Sequence, residues 1–176
     1  MRRVAVLALL TLLLTALGGA LSVALGWSSL PIVPGAILCA YAALVDPPIE
    51  GVLTAAAIGL VVDAMTGTSL GLNVLALVAV LVGSRLVTGF VTSPRGLPAA
   101  AFVGGFSAVH AFVALLLLFL FQRRGGFGLL SVFTVAVANA AASIVVIPLV
   151  QRLLVALRLE ERDETLQERL AGKGRA

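Results

Sequence analysis

Long apolar runs occupy most of this chain, and only short stretches rich in Gly, Pro, Ser or charged residues interrupt them. An α-helix needs about 20 predominantly apolar residues to cross the hydrocarbon core of a bilayer. Only 11% of the residues are charged, whereas a soluble domain carries about 25% because its surface must be polar. The sequence therefore predicts an all-α, polytopic membrane helical bundle.

The breaks divide the chain into six predicted transmembrane segments. Their approximate bounds are 4–25, 30–45, 49–65, 70–91, 97–121 and 127–157. Pro47 and Pro48 end the second segment, because a residue that precedes proline is driven out of the helical region. The second and third segments are predicted to be the short ones. Sixteen residues rise only about 24 Å, against a hydrocarbon core of about 30 Å, so these two either thin the bilayer locally or pack as a hairpin inside the others.

Two domains follow from this pattern: a transmembrane domain at 1–157 and a charged cytoplasmic tail at 158–176. The first segment follows Arg2 and Arg3 and resembles a signal peptide, but its apolar stretch exceeds the 7–15 residues typical of one. We therefore interpret it as an uncleaved span. The tail has too few apolar residues to fold alone. It is either a solvated extension of the last helix or a docking segment for a cytoplasmic partner.

Arginines near the ends of the segments predict the orientation. With six spans and a cytoplasmic N-terminus, the basic residues that fall inside are Arg2, Arg3, Arg85, Arg95 and Arg152, and those that fall outside are Arg123 and Arg124. Basic residues are enriched in cytoplasmic loops, so five against two favours this orientation, with both termini in the cytoplasm. Their placement differs from the basic groove with interleaved aromatic residues that binds nucleic acid.

Ionisable residues are scarce outside the tail. Asp46, Glu50 and Asp63 are the only acidic residues before residue 158, and His110 is the only histidine. Catalysis usually needs several such groups in a defined arrangement, and a structural metal site needs His and Cys at characteristic spacings. The sequence therefore predicts no enzymatic activity, no cofactor and no metal site.

Asp63 lies four residues before Gly67, near the predicted end of the third helix. The favoured interpretation is a structural turn in which the Asp63 carboxylate accepts hydrogen bonds from Thr66, Thr68 or Ser69. Charged residues inside membrane helices cost about 2.5–3.5 kcal/mol on insertion scales and tend to be functional, so a contact with a partner or ligand and a proton relay are the alternatives. Thr68 or Ser69 is also the predicted N-cap of the fourth helix.

Four residues of the last two segments are predicted helix-packing positions. We expect His110 to be neutral and hydrogen-bonded to a neighbouring helix. Asn139 lies among alanines, and an amide there can bridge two helices for roughly 1 kcal/mol or less. Gly104 and Gly105 are small enough to let another helix approach closely.

The stretch Gly59–Leu77 reads Gly-Leu-Val-Val-Asp-Ala-Met-Thr-Gly-Thr-Ser-Leu-Gly-Leu-Asn-Val-Leu-Ala-Leu. It resembles the signature region of MreD, the rod shape-determining membrane protein of bacterial cell elongation. The motif places Asp63, Gly67, Gly71 and Asn73 around one break between two apolar helices. We expect these four residues to form a structural turn or to bind a partner protein.

In its layout the resemblance extends over most of residues 1–157, and includes the apolar helix ending at 41–45 and the acidic break at 46–50. It implies a non-enzymatic scaffold in the bacterial cytoplasmic membrane. Its partners would be the bitopic protein MreC, and through it the MreB filaments, as well as the lipid-II polymerase RodA with its transpeptidase partner. It also implies a helical fold similar to the substrate-binding component of energy-coupling-factor vitamin transporters.

Two other functions stay open. A small-solute binding subunit of a transporter would hold a vitamin-like molecule in a polar pocket, and Asp63, Asn73, His110 and Asn139 are the candidate residues for one. Thermal stabilisation by such a solute would favour this alternative. The second is a polytopic membrane protein with a function unrelated to either.

Overall fold

The computed structural model describes residues 2–26, 31–67, 69–88, 96–122 and 129–157. All regular structure in these residues is α-helical. The six helices are α1 Arg2–Ala24, α2 Pro34–Val45, α3 Pro48–Thr66, α4 Leu72–Thr88, α5 Gly96–Gln122 and α6 Leu129–Ala156. The prediction of an all-α bundle with six helical segments is confirmed. Outside the described residues lie the predicted tail at 158–176, Thr68, Arg95, Arg123 and Arg124.

Four helices, α1, α3, α5 and α6, are long and apolar enough to cross a membrane. Large apolar side chains point outwards along them, and Leu17, Val23, Leu97 and Leu130 are among the most exposed. A monomeric soluble protein rarely exposes so much contiguous apolar surface to water. The helices therefore fit a multi-pass membrane protein.

The prediction that the second and third segments are the short ones is wrong for the third. α2 has 12 residues and α4 has 17, whereas α3 has 19. α3 begins at Pro48 because the first residue of a helix needs no N–H partner within that helix, so proline fits there. It ends at Gly67, which adopts the left-handed conformation typical of helix ends. α4 begins only at Leu72, after the turn that holds its first residues.

α2 lies at the centre of the bundle. Its residues 35–43 are all buried, and it packs against each of the other five helices. A helix that is apolar on every side is expected to be surrounded in this way. Its 12 residues rise only about 18 Å, so α2 occupies part of the depth of the bundle.

The other helices surround α2 in the order α1, α3, α4, α5, α6, each packed against the next. The α3–α4 hairpin is especially close, because a Cβ atom on Gly59 would lie 2.5 Å from the Cα of Val74. Only glycine permits such an approach of two backbones. The hairpin therefore has a fixed crossing, and a group of polar side chains lies at each of its ends.

Candidate functional site

Asp63, near the end of α3, is 1% exposed, and its carboxylate holds the connection into α4. Oδ2 accepts a hydrogen bond from the backbone N–H of Gly71 at 2.8 Å. Oδ1 accepts one from the backbone N–H of Asn73 at 3.0 Å and another from Asn73 Nδ2 at 2.9 Å. Asp63 with Gly67, Gly71 and Asn73 is called the Asp63 turn below. The four motif residues thus belong to one local structure.

The Asp63 carboxylate caps α4 from the preceding helix. The first N–H groups of a helix have no partner within it, and Asn73 is the second residue of α4. A negative charge also interacts favourably with the positive end of the helix dipole. Thr68 or Ser69 was the predicted N-cap; Thr68 lies outside the described residues, and it is Asp63 that binds the Asn73 N–H.

Gly71 and Asn73, which donate hydrogen bonds to Asp63, lie farther along the chain than the donors named in the prediction. That Thr66, Thr68 or Ser69 also donates to Asp63 stays a prediction, and Thr68 lies outside the described residues. The Thr66 hydroxyl donates to the carbonyl of Val62 at 2.8 Å. Backbone shape makes the longer reach possible, because Gly67 and Gly71 have φ angles of 64° and 97°. In L-residues the left-handed region costs about 1–2 kcal/mol.

Asn139 is fully buried in α6 and joins three elements. Its Oδ1 accepts a hydrogen bond from the Val33 backbone N–H at 2.9 Å, and its Nδ2 donates to Ser107 Oγ at 3.0 Å. Val33 immediately precedes α2, and Ser107 lies on α5. The amide therefore links α6 to α5 and to the start of the central helix.

The other three predicted helix-packing residues have different environments. A Cβ atom on Gly104 would lie 3.1 Å from the Cβ of Ala140, so Gly104 does sit in a close contact of α5 with α6. No atom of the described residues lies within 4 Å of the Cβ position of Gly105, so its packing role stays a prediction. Successive residues point about 100° apart around a helix, and one of two adjacent glycines therefore turns away. His110 is buried, and its Nε2 has no hydrogen-bond partner among the described residues. The predicted hydrogen bond of His110 to a neighbouring helix stays a prediction.

Arg3, Asp46 and Arg85 form a second polar group, at the other end of the α3–α4 hairpin. Arg3 Nη2 lies 2.9 Å from Asp46 Oδ1 in an ion pair. Arg85 Nη2 donates a hydrogen bond of 2.7 Å to the backbone carbonyl oxygen of Asp46. The Thr54 hydroxyl lies 3.5 Å from Asp46 Oδ2. Arg3, Asp46 and Arg85 are called the arginine cluster below. The sequence predicts Arg3 and Arg85 as orientation signals and does not indicate that they meet at Asp46.

Small and aromatic neighbours accommodate the arginine cluster. Arg85 crosses α3 at Gly51, where a Cβ atom would lie 2.5 Å from Arg85 Nη2. The Cζ atom of Arg3 lies 5.8 Å from the centre of the Tyr41 ring, within the range of a cation–π interaction. Burial raises the pKa of Asp46 above its ordinary value, and the positive charge of Arg3 opposes that shift.

Three cavities between helices have mainly apolar linings. One of about 530 Å³ separates α4 from α5 and includes Gly83 and Gly105 in its lining. Another of about 420 Å³ lies between the second half of α1 and α6, above the start of α2. A small one of about 40 Å³ lies between α5 and α6. None of the three is lined by the four candidate solute-binding residues. Within the described ranges, no group of three or more His, Cys, Asp or Glu side chains could hold a metal ion.

Comparison of the chain with protein-family models, with curated proteins and with solved structures finds no match. A functional proposal therefore depends on the geometry of the bundle and on the resemblance of Gly59–Leu77 to the MreD signature region.

Proposed function

We propose that this chain is a non-enzymatic scaffold of the MreD family in the bacterial cytoplasmic membrane. It would contact MreC, and through MreC couple MreB filaments to peptidoglycan synthesis by RodA and its transpeptidase partner. The observation that carries the proposal is the Asp63 turn. Its polar groups bind one another, which suits a protein that acts through its shape and its contacts rather than by transforming a substrate.

The remaining bundle supports the same kind of action. Asn139 binds Ser107 and Val33, and Asp46 binds Arg3 and Arg85. Membrane helices associate through close packing of small residues and through sparse polar bridges. The groove between α4 and α5 has Gly83 on one side and Gly105 on the other. These small residues would let a neighbouring transmembrane helix pack closely in the groove.

The proposal includes six membrane crossings, with α2 and α4 as the short ones, and a fold similar to the substrate-binding component of energy-coupling-factor transporters. Both termini would lie in the cytoplasm. Arg3 of α1 and Arg85 of α4 lie at one end of the bundle, which supports a cytoplasmic location for that end because basic residues favour it. α5 begins at Gly96, only a few residues after α4 ends, so Gly96 is expected near the Arg85 end of the bundle. Gly96 and Pro148 of α6 line one cavity, and Arg152 lies one turn beyond Pro148, which supports the same end for Arg152.

The solute-binding alternative has less support. It requires Asp63, Asn73, His110 and Asn139 to share a pocket. Asp63 and Asn73 are instead bonded to each other, and Asn139 is bonded to Ser107 and Val33.

The test of the proposal uses Asp63→Ala and Gly67→Leu variants in cells that lack the natural chain. Expressed at the normal level, they are expected to lose co-purification with MreC and to fail to restore rod shape. Leu70→Ala is the matched control, because Leu70 lies in the same connection and is 79% exposed; this variant should retain both properties. Full activity of the two variants would exclude a role for the turn. A wild-type chain that neither captures MreC nor supports rod shape would overturn the family proposal itself.

A further inference from the structure

The arginine cluster holds more hydrogen-bond donors than the described chain supplies with acceptors. Nε of Arg3 and Nε of Arg85 are both buried, and neither has a hydrogen-bond partner among the described residues. Arg3 Nη2 and Asp46 Oδ1 form an ion pair, but neither atom has a hydrogen-bond partner among the described residues, whereas Arg85 Nη2 donates to the Asp46 carbonyl oxygen. Buried donors without an acceptor are costly, and charged ones more so. An acceptor from outside the described chain would complete the cluster.

The missing acceptor should be an anion. Two guanidinium groups face a single buried carboxylate, which leaves one positive charge in excess within the cluster. Among the described residues, Glu50 is the other acidic residue that acts electrostatically on Asp46, and its side chain is exposed to solvent. The planar fork of a guanidinium group matches the oxygen atoms of a carboxylate or a phosphate.

The position of the cluster favours a phospholipid over a free anion. It lies where α1 begins, where α2 gives way to α3 and within the last turn of α4. Basic groups at the ends of membrane helices meet lipid head groups, and basic pockets between such helices bind anionic ones. Exposed apolar side chains adjoin it in the chain, since Ile49 is 78% exposed and Leu86 is 83% exposed. A free phosphate ion would match the charge alone, whereas a phospholipid would also cover the apolar side chains.

We propose that the arginine cluster binds the phosphate head group of an anionic phospholipid. Arg3 and Arg85 donate their Nε–H groups to phosphate oxygens, and the acyl chains lie along the apolar outer faces of α3 and α4. The backbone carbonyl oxygen of Asp46 holds the Arg85 guanidinium group in place for the ligand. This site does not depend on the proposed scaffold function.

Thermal unfolding of the full-length chain in nanodiscs tests the proposal. The bilayer is either phosphatidylcholine alone or phosphatidylcholine mixed with phosphatidylglycerol. A ligand that binds the folded state raises its stability, so the wild-type Tm is expected to be higher in the mixed bilayer, by about 3 °C or more. Arg85→Gln should lose most of this difference. Arg152→Gln is the matched control, because Arg152 is an exposed arginine of α6, and it should keep the difference.

A second variant covers the case in which Arg85→Gln fails to fold. Asp46→Asn adds a unit of positive charge to the cluster, so the gain in Tm from phosphatidylglycerol should increase even though the variant is less stable in both bilayers. A wild-type Tm that is equal in the two bilayers would overturn the proposal. So would an equal loss of the lipid effect in Arg152→Gln, which would indicate general surface electrostatics. Inorganic phosphate added to phosphatidylcholine nanodiscs should give no comparable shift; if it does, the ligand is a free anion and the lipid assignment is wrong.

Discussion

The two ends of the α3–α4 hairpin carry polar groups that differ in whether their buried hydrogen-bonding atoms have partners. In the Asp63 turn, both carboxylate oxygens accept hydrogen bonds from donors eight and ten residues away in the chain. In the arginine cluster, the charged residues come from α1, the α2–α3 junction and α4. Three buried nitrogen atoms there, Arg3 Nε, Arg3 Nη2 and Arg85 Nε, have no hydrogen-bond partner in the described part of the chain. A polar group that satisfies itself serves the fold. A buried group with an excess of donors and of charge is suited to binding something else.

The Asp63 turn and the arginine cluster lie at opposite ends of α3, so they face opposite sides of the membrane if α3 crosses it. Cysteine labelling gives an all-or-none test of this prediction. Cys39 is fully buried, so the natural chain should react little with a membrane-impermeant maleimide. In cells stripped of their wall, the Leu70→Cys variant is expected to react from outside, because Leu70 belongs to the Asp63 end. Glu50→Cys should react only after the membrane is permeabilised. Equal labelling of both variants in unpermeabilised cells would mean that α3 does not cross the membrane.

Removal of the Asp63 carboxylate should have the largest effect on stability. Asp63→Ala removes the acceptor of the part-buried Gly71 N–H group and of the buried Asn73 N–H and amide groups. We expect the free energy of unfolding to fall by about 3 kcal/mol. Asp63→Asn retains one acceptor oxygen and should cost about 1 kcal/mol. Unfolding in mixed micelles with increasing denaturing detergent measures both. Leu70→Ala should change the value by less than about 0.5 kcal/mol; an Asp63→Ala effect that small would show that the turn is not held by its carboxylate.

The difference between the two ends also explains what the sequence could predict. Every part of the Asp63 turn lies within Gly59–Leu77, so a local pattern contains it. The arginine cluster joins residues 39 or more positions apart. Hydropathy assigns an arginine to one side of the membrane but does not identify its partner, so the ion pair of Arg3 with Asp46 could not be predicted.

The same limit applies to the helices. Six apolar runs predict six helices because each break contains residues that end or begin one. The length of a helix depends on where each proline or glycine falls in its geometry, and Pro48 starts α3 rather than delaying it. Which face of a helix meets a neighbour is a property of the assembled bundle. For this reason the sequence could not distinguish Gly104, whose Cβ position meets α6, from Gly105, whose Cβ position meets no atom in the described part of the chain.

Gly59 and Gly51 of α3 lie toward the two different ends of the hairpin, and a Cβ atom added at each is expected to cost a different amount of stability. A Cβ atom on Gly59 would meet the Val74 backbone, whereas one on Gly51 would meet the far end of the Arg85 side chain. Backbone cannot move aside easily, so Gly59→Ala should lower the free energy of unfolding by about 2 kcal/mol. Gly51→Ala should cost less than about 1 kcal/mol, because Arg85 can take another rotamer. The same detergent titration measures both variants. Equal losses would mean that Arg85 is held as firmly as the backbone of α4.

The smallest loss is expected from Arg3→Gln. The Arg3 side chain is 16% exposed, but the two paired atoms, Arg3 Nη2 and Asp46 Oδ1, are buried. Breaking a buried pair is costly when the remaining charge is left uncompensated; here Arg85 stays close to Asp46, so we expect a loss of about 1 kcal/mol or less. Removing Arg3 leaves Arg85 beside Asp46, so the cluster becomes neutral instead of losing its only countercharge. If Arg3 were instead the only positive charge that balances Asp46, Arg3→Gln would leave a buried carboxylate without a counterion and cost about 3–5 kcal/mol. Stability measured in phosphatidylcholine alone therefore tests the difference between the two ends. A loss for Arg3→Gln that is much smaller than the loss for Asp63→Ala would indicate that the arginine cluster has positive charge in excess. A loss equal to that of Asp63→Ala would show that Arg3 is required to balance Asp46, and no excess charge would be left to attract a lipid.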